Sequence, residues 1–315
     1  MTTAATTTDT TVAPDSTDTP DTTAPRIPFG FFDAQVVRTR PLGRSMVRVT
    51  FGGPGLTGFV SGGRDQRFKL FLPHPGQDAP VVPVEAGEDW FPQWRALDPA
   101  TRGIMRSYTV RAQRTTADGG TEVDVDFALH GAHGTDSTAS GPAARWAAAA
   151  APGHRAVLLG PVEPENAGVD FRPPAGTDWV LLTADETALP AVAGILESLP
   201  AGTAARVWIE VPHSEDIQQL TTAAGAEITW LVRNKANGPR TGLVLDAVRA
   251  ADLPAGAPYA WIAGEAGTVR ALRRHLVGER GFDRKAVTFT GYWRKGATEE
   301  QLVEEALAGD TPAED

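Results

Sequence analysis

Past residue 25 the hydrophobic pattern changes period once, near the middle of the chain. The first half holds short runs in which apolar and polar positions alternate. Ala34–Arg40, with Val36 and Val37, and Arg44–Phe51, with Val47 and Val49 at alternating places, are separated by Pro41-Leu42-Gly43. Arg67–Leu72 and Ser107–Arg111 are two more such runs. Thr121–Leu129 is the clearest, with Val123, Val125, Phe127 and Leu129 alternating with Asp124, Asp126 and Ala128. A period of two predicts strands with one face buried and the other wet. Many short strands with Gly and Pro between them predict an antiparallel barrel. One helix, Pro142–Ala150, interrupts it, with Pro in its first turn and a run of Ala behind.

The second half alternates by element. Continuous apolar runs at Asp178–Thr183, Arg206–Val211, Glu227–Val232, Tyr259–Ala263 and Ala286–Trp293 read as buried strands. Helical segments follow at Thr187–Ser198, from Ser214, at Gly242–Ala250 and at Gly267–Gly278. This order predicts a parallel sheet with helices on both faces. The junction falls in Gly160–Gly176, which is rich in Pro and Gly. The expected division is a tail over 1–25, a barrel domain over 26–165, an α/β domain over 166–296 and an acidic C-terminal helix or tail over 297–315.

Composition narrows the chemistry. The chain has 315 residues, 41% hydrophobic, and no cysteine. Disulfides, thiolate nucleophiles and Cys-held iron–sulfur clusters are excluded. His130 and His133 can be read as a metal pair, but the six histidines show no other ligand spacing and no Cys can complete a site, so no protein-held metal is expected. No apolar stretch approaches the roughly 20 residues of a spanning helix. Residues 1–25 lack the basic start and apolar core of a secretion signal, which points to a cytoplasmic protein. The net charge of −10 is concentrated at the ends: four acids before residue 26 and seven after 296, with no Lys or Arg in either segment. Between them 28 acids face 29 bases. That balance argues against nucleic acid as a partner and leaves room for a local basic patch.

Five segments carry candidate chemistry. Arg106-Ser107-Tyr108-Thr109-Val110-Arg111 supplies a cation, an aromatic plane and hydroxyls within four residues of one strand. A flavin needs those three groups, although an ordinary exposed strand also contains them. Leu129-His130-Gly131 leads through a Gly-rich loop to Gly141-Pro142-Ala143-Ala144, a helix start at which small residues let a pyrophosphate approach free N–H groups. Thr183-Ala184-Asp185-Glu186-Thr187 follows the first parallel strand, where such folds bind ligands. Asp185 and Glu186 also suit a helix first turn. Trp261-Ile262-Ala263-Gly264-Glu265 ends another strand on small residues, and Gly291-Tyr292-Trp293-Arg294-Lys295 places two aromatics and two cations at the last strand's end. Glu210 ends the second parallel strand, where an acid binds a ribose hydroxyl and repels a 2′-phosphate. It leans the reading to NADH over NADPH, with His213 and Ser214 as the rival phosphate acceptors.

Taken in order over residues 30–300, these pieces resemble the siderophore-interacting protein family, the FAD-dependent ferric-siderophore reductases. The matching pieces are Lys69-Leu70-Phe71, Arg106-Ser107-Tyr108-Thr109, Asp126 through His130, Gly141-Pro142-Ala143, Asp185 through Pro190, Gly264-Glu265 and Gly291-Tyr292-Trp293-Arg294. The resemblance implies a ferredoxin-reductase-like architecture, a flavin-binding β-barrel followed by a parallel-sheet nicotinamide domain. It implies that Arg106, Tyr108 and Thr109, with Ser107 and Asp126, hold FAD, and that His130, Gly141, Ala143 and Ala144 lie near its phosphates. Thr183, Asp185 and Thr187 would flank the flavin, with Gly264 and Glu265 at the nicotinamide. Lys69 matches a base that holds an anionic ferric siderophore, and Arg294 and Lys295 are further candidates. One position departs: some members carry a base after Gly160-Pro161, where this chain has Val162. The implied protein is a monomeric reductase that takes electrons from NADH or NADPH through FAD to release Fe²⁺. Two alternatives stand beside it, a flavin oxidoreductase with another acceptor and a non-catalytic siderophore- or flavin-binding module.

Overall fold

The computed structural model describes residues 28–129, 141–236 and 242–308. His130 lies outside the described residues. The first sheet contains β1 (Phe29–Pro41), β2 (Met46–Gly52), β3 (Arg67–Leu72), β4 (Ile104–Thr109), β5 (Ala112–Thr115), β6 (Thr121–Ala128) and β7 (Arg155–Pro161). Every strand pairing is antiparallel, in the order β4-β3-β7-β1-β2-β6-β5. The two end strands are consecutive in the chain. Between them the Val110 N–H bonds to Gln66 O and the Arg111 N–H to Asp124 O. One crossing of two residues therefore curls the sheet into the expected barrel. Phe32, Phe51, Leu70, Val125, Phe127 and Leu158 fill its interior.

Among the described residues two α-helices cover the barrel. α1 (Trp90–Ala96) lies outside it, with Trp94 packed on Phe71, Met105 and Val157. α2 (Pro142–Ala148) closes one end through Ala143 and Ala147, and its Trp146 ring stacks on Phe51. The alternation in β6 is real, yet its polar face is not wet. Asp124 and Asp126 are 5% and 6% exposed because guanidinium groups cover them. Arg114 takes Asp124 at 2.7 Å and Arg48 takes Asp126 at 2.6 Å.

The second sheet holds β8 (Trp179–Ala184), β9 (Ala204–Val211), β10 (Gly225–Val232), β11 (Pro258–Glu265) and β12 (Val287–Trp293). All are parallel, in the order β10-β9-β8-β11-β12. α3 (Leu189–Ser198) packs on one face, while α4 (Leu243–Ala250) and α5 (Ala266–Arg274) pack on the other. The order reverses between β8 and β11, and a sheet of this kind opens a crevice there, beyond its carboxyl ends. α6 (Glu299–Ala308) follows the last strand.

Among the described strands and α-helices, three have no counterpart in the pattern: β5, β7 and α1. β7 is a run of apolar residues too short to show a period, and α1 is rich in aromatics with weak helix propensity. The helix expected from Ser214 is a single 3₁₀ turn, Ser214–Asp216. Asp216, fully buried, caps that turn by accepting the His213 N–H at 3.0 Å, and its other oxygen accepts the N–H groups of Arg44 and Ser45, both at 2.7 Å. The helix expected to reach Gly278 stays α-helical to Arg274 and then widens into a π turn, His275–Glu279.

Candidate functional site

The β4 side chains point two ways. Tyr108 turns toward the barrel interior and α2, with its ring 4.4 Å from that of Phe127. Arg106, on the same strand face, pairs with Glu300 of α6 at 2.6 Å. Ser107 faces out and accepts from Lys69 Nζ at 2.7 Å across the β3–β4 register. Thr109 is buried and meets the hydroxyl of Tyr292 from the second sheet. Burial raises the Tyr292 phenol well above its usual range, and the Thr109 contact only partly offsets this.

Beyond Tyr292 the contacts continue into the crevice. The Trp293 Nε1–H donates to Asp185 at 2.8 Å. Asp185 also accepts from the Thr187 N–H at 2.9 Å and the Glu265 N–H at 3.0 Å. Burial, and then the charge of Glu186, push the Asp185 carboxyl up. Glu265 caps α5 by accepting from the Thr268 N–H at 3.0 Å, and Gly264 is left-handed at φ 138°. Thr183 Oγ1 lines the same crevice, buried and without a hydrogen-bond partner. The strand that carries Arg106–Thr109 is therefore joined to Asp185, Thr187, Gly264 and Glu265 by Tyr292 and Trp293.

On the outer face of the barrel Lys69 and Ser107 border a cleft of about 720 Å³ lined also by Phe29, Phe31, Phe68 and Trp90. Arg294 points instead to α6, pairing with Glu305 at 2.6 Å, and the Lys295 N–H reaches Glu265 Oε1 at 3.4 Å. Asp126 is not gathered with these residues, because Arg48 holds it on the other side of β6.

The residues fit the two cofactors that the sequence implies. For FAD there is a half-buried aromatic ring at Tyr108, a guanidinium already drawing an anionic group at Arg106, and the α2 start, where Gly141 provides no side-chain cap and Ala143 and Ala144 leave the backbone uncovered by large groups. For a nicotinamide nucleotide there is the unsatisfied Thr183 hydroxyl beside Gly264, where a Cβ would stand 2.9 Å from the Asp185 carboxylate.

Sequence reasoning passed over Arg233, which follows β10 and bonds both Glu210 and Glu186. Its signal was positional: like Glu210, it stands at the carboxyl end of a parallel strand. Glu186 is thereby an ion-pair partner and not a helix cap. The tie between Arg106 and α6 had no sequence signal, since it joins residues 194 apart.

Residues 35–165 match the siderophore-interacting FAD-binding domain model and residues 177–296 the siderophore-interacting protein model. The ferric vibriobactin reductase ViuB of Vibrio cholerae is 31% identical over 271 residues, covering 85% of this chain and 91% of that protein. An NADPH-dependent ferric-chelate reductase of Escherichia coli is 27% identical over 271 residues, covering 84% and 92%. Among solved structures, a siderophore utilization protein from T. fusca superposes with a TM-score of 0.69 at 35% identity, covering 86% of this chain and 95% of that one.

Proposed function

The chain belongs to the siderophore-interacting protein family, and from that membership we propose that it reduces a ferric siderophore with electrons drawn from NAD(P)H through bound FAD. The observation that carries the reading is the contact line Thr109–Tyr292–Trp293–Asp185, which ties the strand suited to a flavin to the crevice suited to a nicotinamide. Bound FAD supplies the exchange between a two-electron donor and a one-electron acceptor such as Fe³⁺. The protein's part is orientation and charge. Tyr108 offers a plane, Arg106 a positive charge for the pyrophosphate, and Thr109 a hydroxyl fixed by Tyr292. Thr183 and the backbone at Gly264 receive the nucleotide, and Asp185 holds the crevice wall in place through Glu265 and Trp293. Lys69, at the rim of the cleft, supplies attraction for an anionic ferric complex without a tight pocket. Hard oxygen donors favour Fe³⁺, so reduction loosens the complex and releases iron. The described residues contain no helix long and apolar enough to cross a membrane.

The test is an anaerobic visible spectrum of the FAD-loaded protein, first with NADH or NADPH and then with a ferric siderophore. Bleaching of the flavin band, followed by its return as Fe²⁺ forms, supports the reading. Bleaching that a ferric siderophore does not reverse points to a flavin oxidoreductase with another acceptor. Flavin that neither nucleotide bleaches leaves a binding role only. Lys69→Ala is expected to slow the return by roughly tenfold while leaving the bleaching rate unchanged.

A further inference from the structure

We propose that Arg233 sets the choice of electron donor: clamped between Glu210 and Glu186, it is withheld from a ribose 2′-phosphate, and the crevice takes NADH. The inference rests on the reading of the second sheet as the nicotinamide-binding unit. It adds a residue to that reading and a reason for the selectivity.

The three side chains come from neighbouring strands. Glu186 follows β8, Glu210 lies at the end of β9 and Arg233 follows β10, all at the carboxyl edge of the sheet. Glu210 lines the crevice with Thr183, Gly264 and Thr268. In a sheet of this order, the end of the strand next to the crevice is where the adenosine ribose is read. A carboxylate there accepts the ribose hydroxyl, whereas an arginine accommodates a 2′-phosphate. This chain carries both residue types at that edge, and they are bound to each other.

The clamp is tight and mostly dry. Arg233 Nε donates to Glu210 Oε1 at 2.5 Å, while Nη2 and Nη1 donate to Glu186 at 2.6 and 3.2 Å. The Glu186 and Glu210 side chains are 0% and 4% exposed, and that of Arg233 is 21% exposed. A guanidinium reads phosphate through the same paired N–H donors that it gives to carboxylates. A 2′-phosphate would therefore have to displace one carboxylate and leave that carboxylate buried beside a second anion, a strongly unfavourable arrangement. A ribose hydroxyl carries no charge and makes no such demand on the clamp. The alternative phosphate acceptors are engaged elsewhere. His213 Nδ1 lies 3.0 Å from Asn234 Nδ2, and Ser214 Oγ donates to Glu215.

The experiment is a calorimetric titration of the FAD-loaded protein with ADP-ribose and with its 2′-phosphate, so the readout is binding and not turnover. Wild type is expected to bind ADP-ribose roughly tenfold or more tightly than the phosphorylated ligand. Glu210→Gln frees one side of the guanidinium and is expected to raise affinity for the 2′-phosphate. Adding Arg233→Gln to that variant is expected to remove the gain. Should Glu210→Gln fail to fold, Glu186→Gln opens the clamp from its other side and carries the same expectation. Equal wild-type affinities, or a gain that survives the loss of Arg233, overturn the assignment. Flavin bleaching by NADH and NADPH, read on the same samples, tests the electron path separately. Bleaching together with equal affinities removes only the role of Arg233, and no bleaching by either nucleotide removes the reading beneath it.

Discussion

Gly264 shows how a single residue constrains the crevice. It takes φ 138°, which L side chains rarely adopt, and a Cβ there would stand 2.9 Å from the Asp185 carboxylate. Asp185 cannot retreat freely, because it also holds the Glu265 N–H and the Trp293 indole. Gly264→Ala is therefore expected to displace the crevice wall and slow flavin bleaching by nicotinamide roughly tenfold or more, given how steeply rate depends on alignment. Anaerobic stopped-flow absorbance measures it, with retained FAD as the reference, and an unchanged rate would show that the wall is not where the nucleotide lies. The need for Gly264 was readable from a strand ending on small residues. The partners of Asp185 were not, because Trp293 lies 108 positions away and no local pattern links the two. Asp126 shows the converse case. It fitted a family piece by position, yet its carboxylate is committed to Arg48.

At the scale of elements, β3, β6 and the five parallel strands were visible in the sequence, because burial on one face or on both leaves a period or an unbroken apolar run. β5 was hidden because its side chains alternate between half-buried and exposed, with no apolar stripe. The polar face of β6 was misread for a related reason: alternation reports which residues are polar, not what covers them. Arg38 and Arg114 donate to Glu122, and Arg114 and Arg48 draw on Asp124. Hydrogen bonds from Arg38, and then from Arg114, outweigh burial and hold Glu122 below its ordinary value. Burial pushes Asp124 up, but Arg114 and Thr50 more than reverse it. Both folded carboxyls titrate below their unfolded values. Their stabilisation is thus fully present above the ordinary carboxylate range and is lost as pH falls through the folded values. Asp124→Asn is expected to lower the urea midpoint at neutral pH, with the difference from wild type shrinking on the acid side of about pH 4. A difference that stays constant across that window would mean that the charge of Asp124 does not stabilise the strand.

Across the whole molecule, the sequence announced two domains and an acidic end, but not that the end folds back onto both. α6 places Glu300 on Arg106 of the barrel and Glu305 on Arg294 at the end of β12. Arg106 is the cation we propose for a flavin pyrophosphate, and Arg294 is a further candidate from the sequence for attracting the ferric complex. An incoming anion at either position competes with a carboxylate of the chain itself. The competition at Arg294 is mild, since that pair is part-exposed and screened by salt. Glu305 titrates below its usual value because Arg294 donates to it, so it remains an anion at neutral pH and the competition persists there. Neutralising it by Glu305→Gln is expected to tighten binding of an anionic ferric siderophore by roughly two- to fivefold at low salt, with the gain fading as ionic strength rises. Quenching of tryptophan fluorescence on titration with the ferric complex measures it, in wild type and variant at two salt concentrations. Tighter binding assigns Arg294 to the substrate surface. Unchanged binding assigns Arg294 to anchoring α6 alone, and the attraction then falls to Lys69 and the cleft beside it.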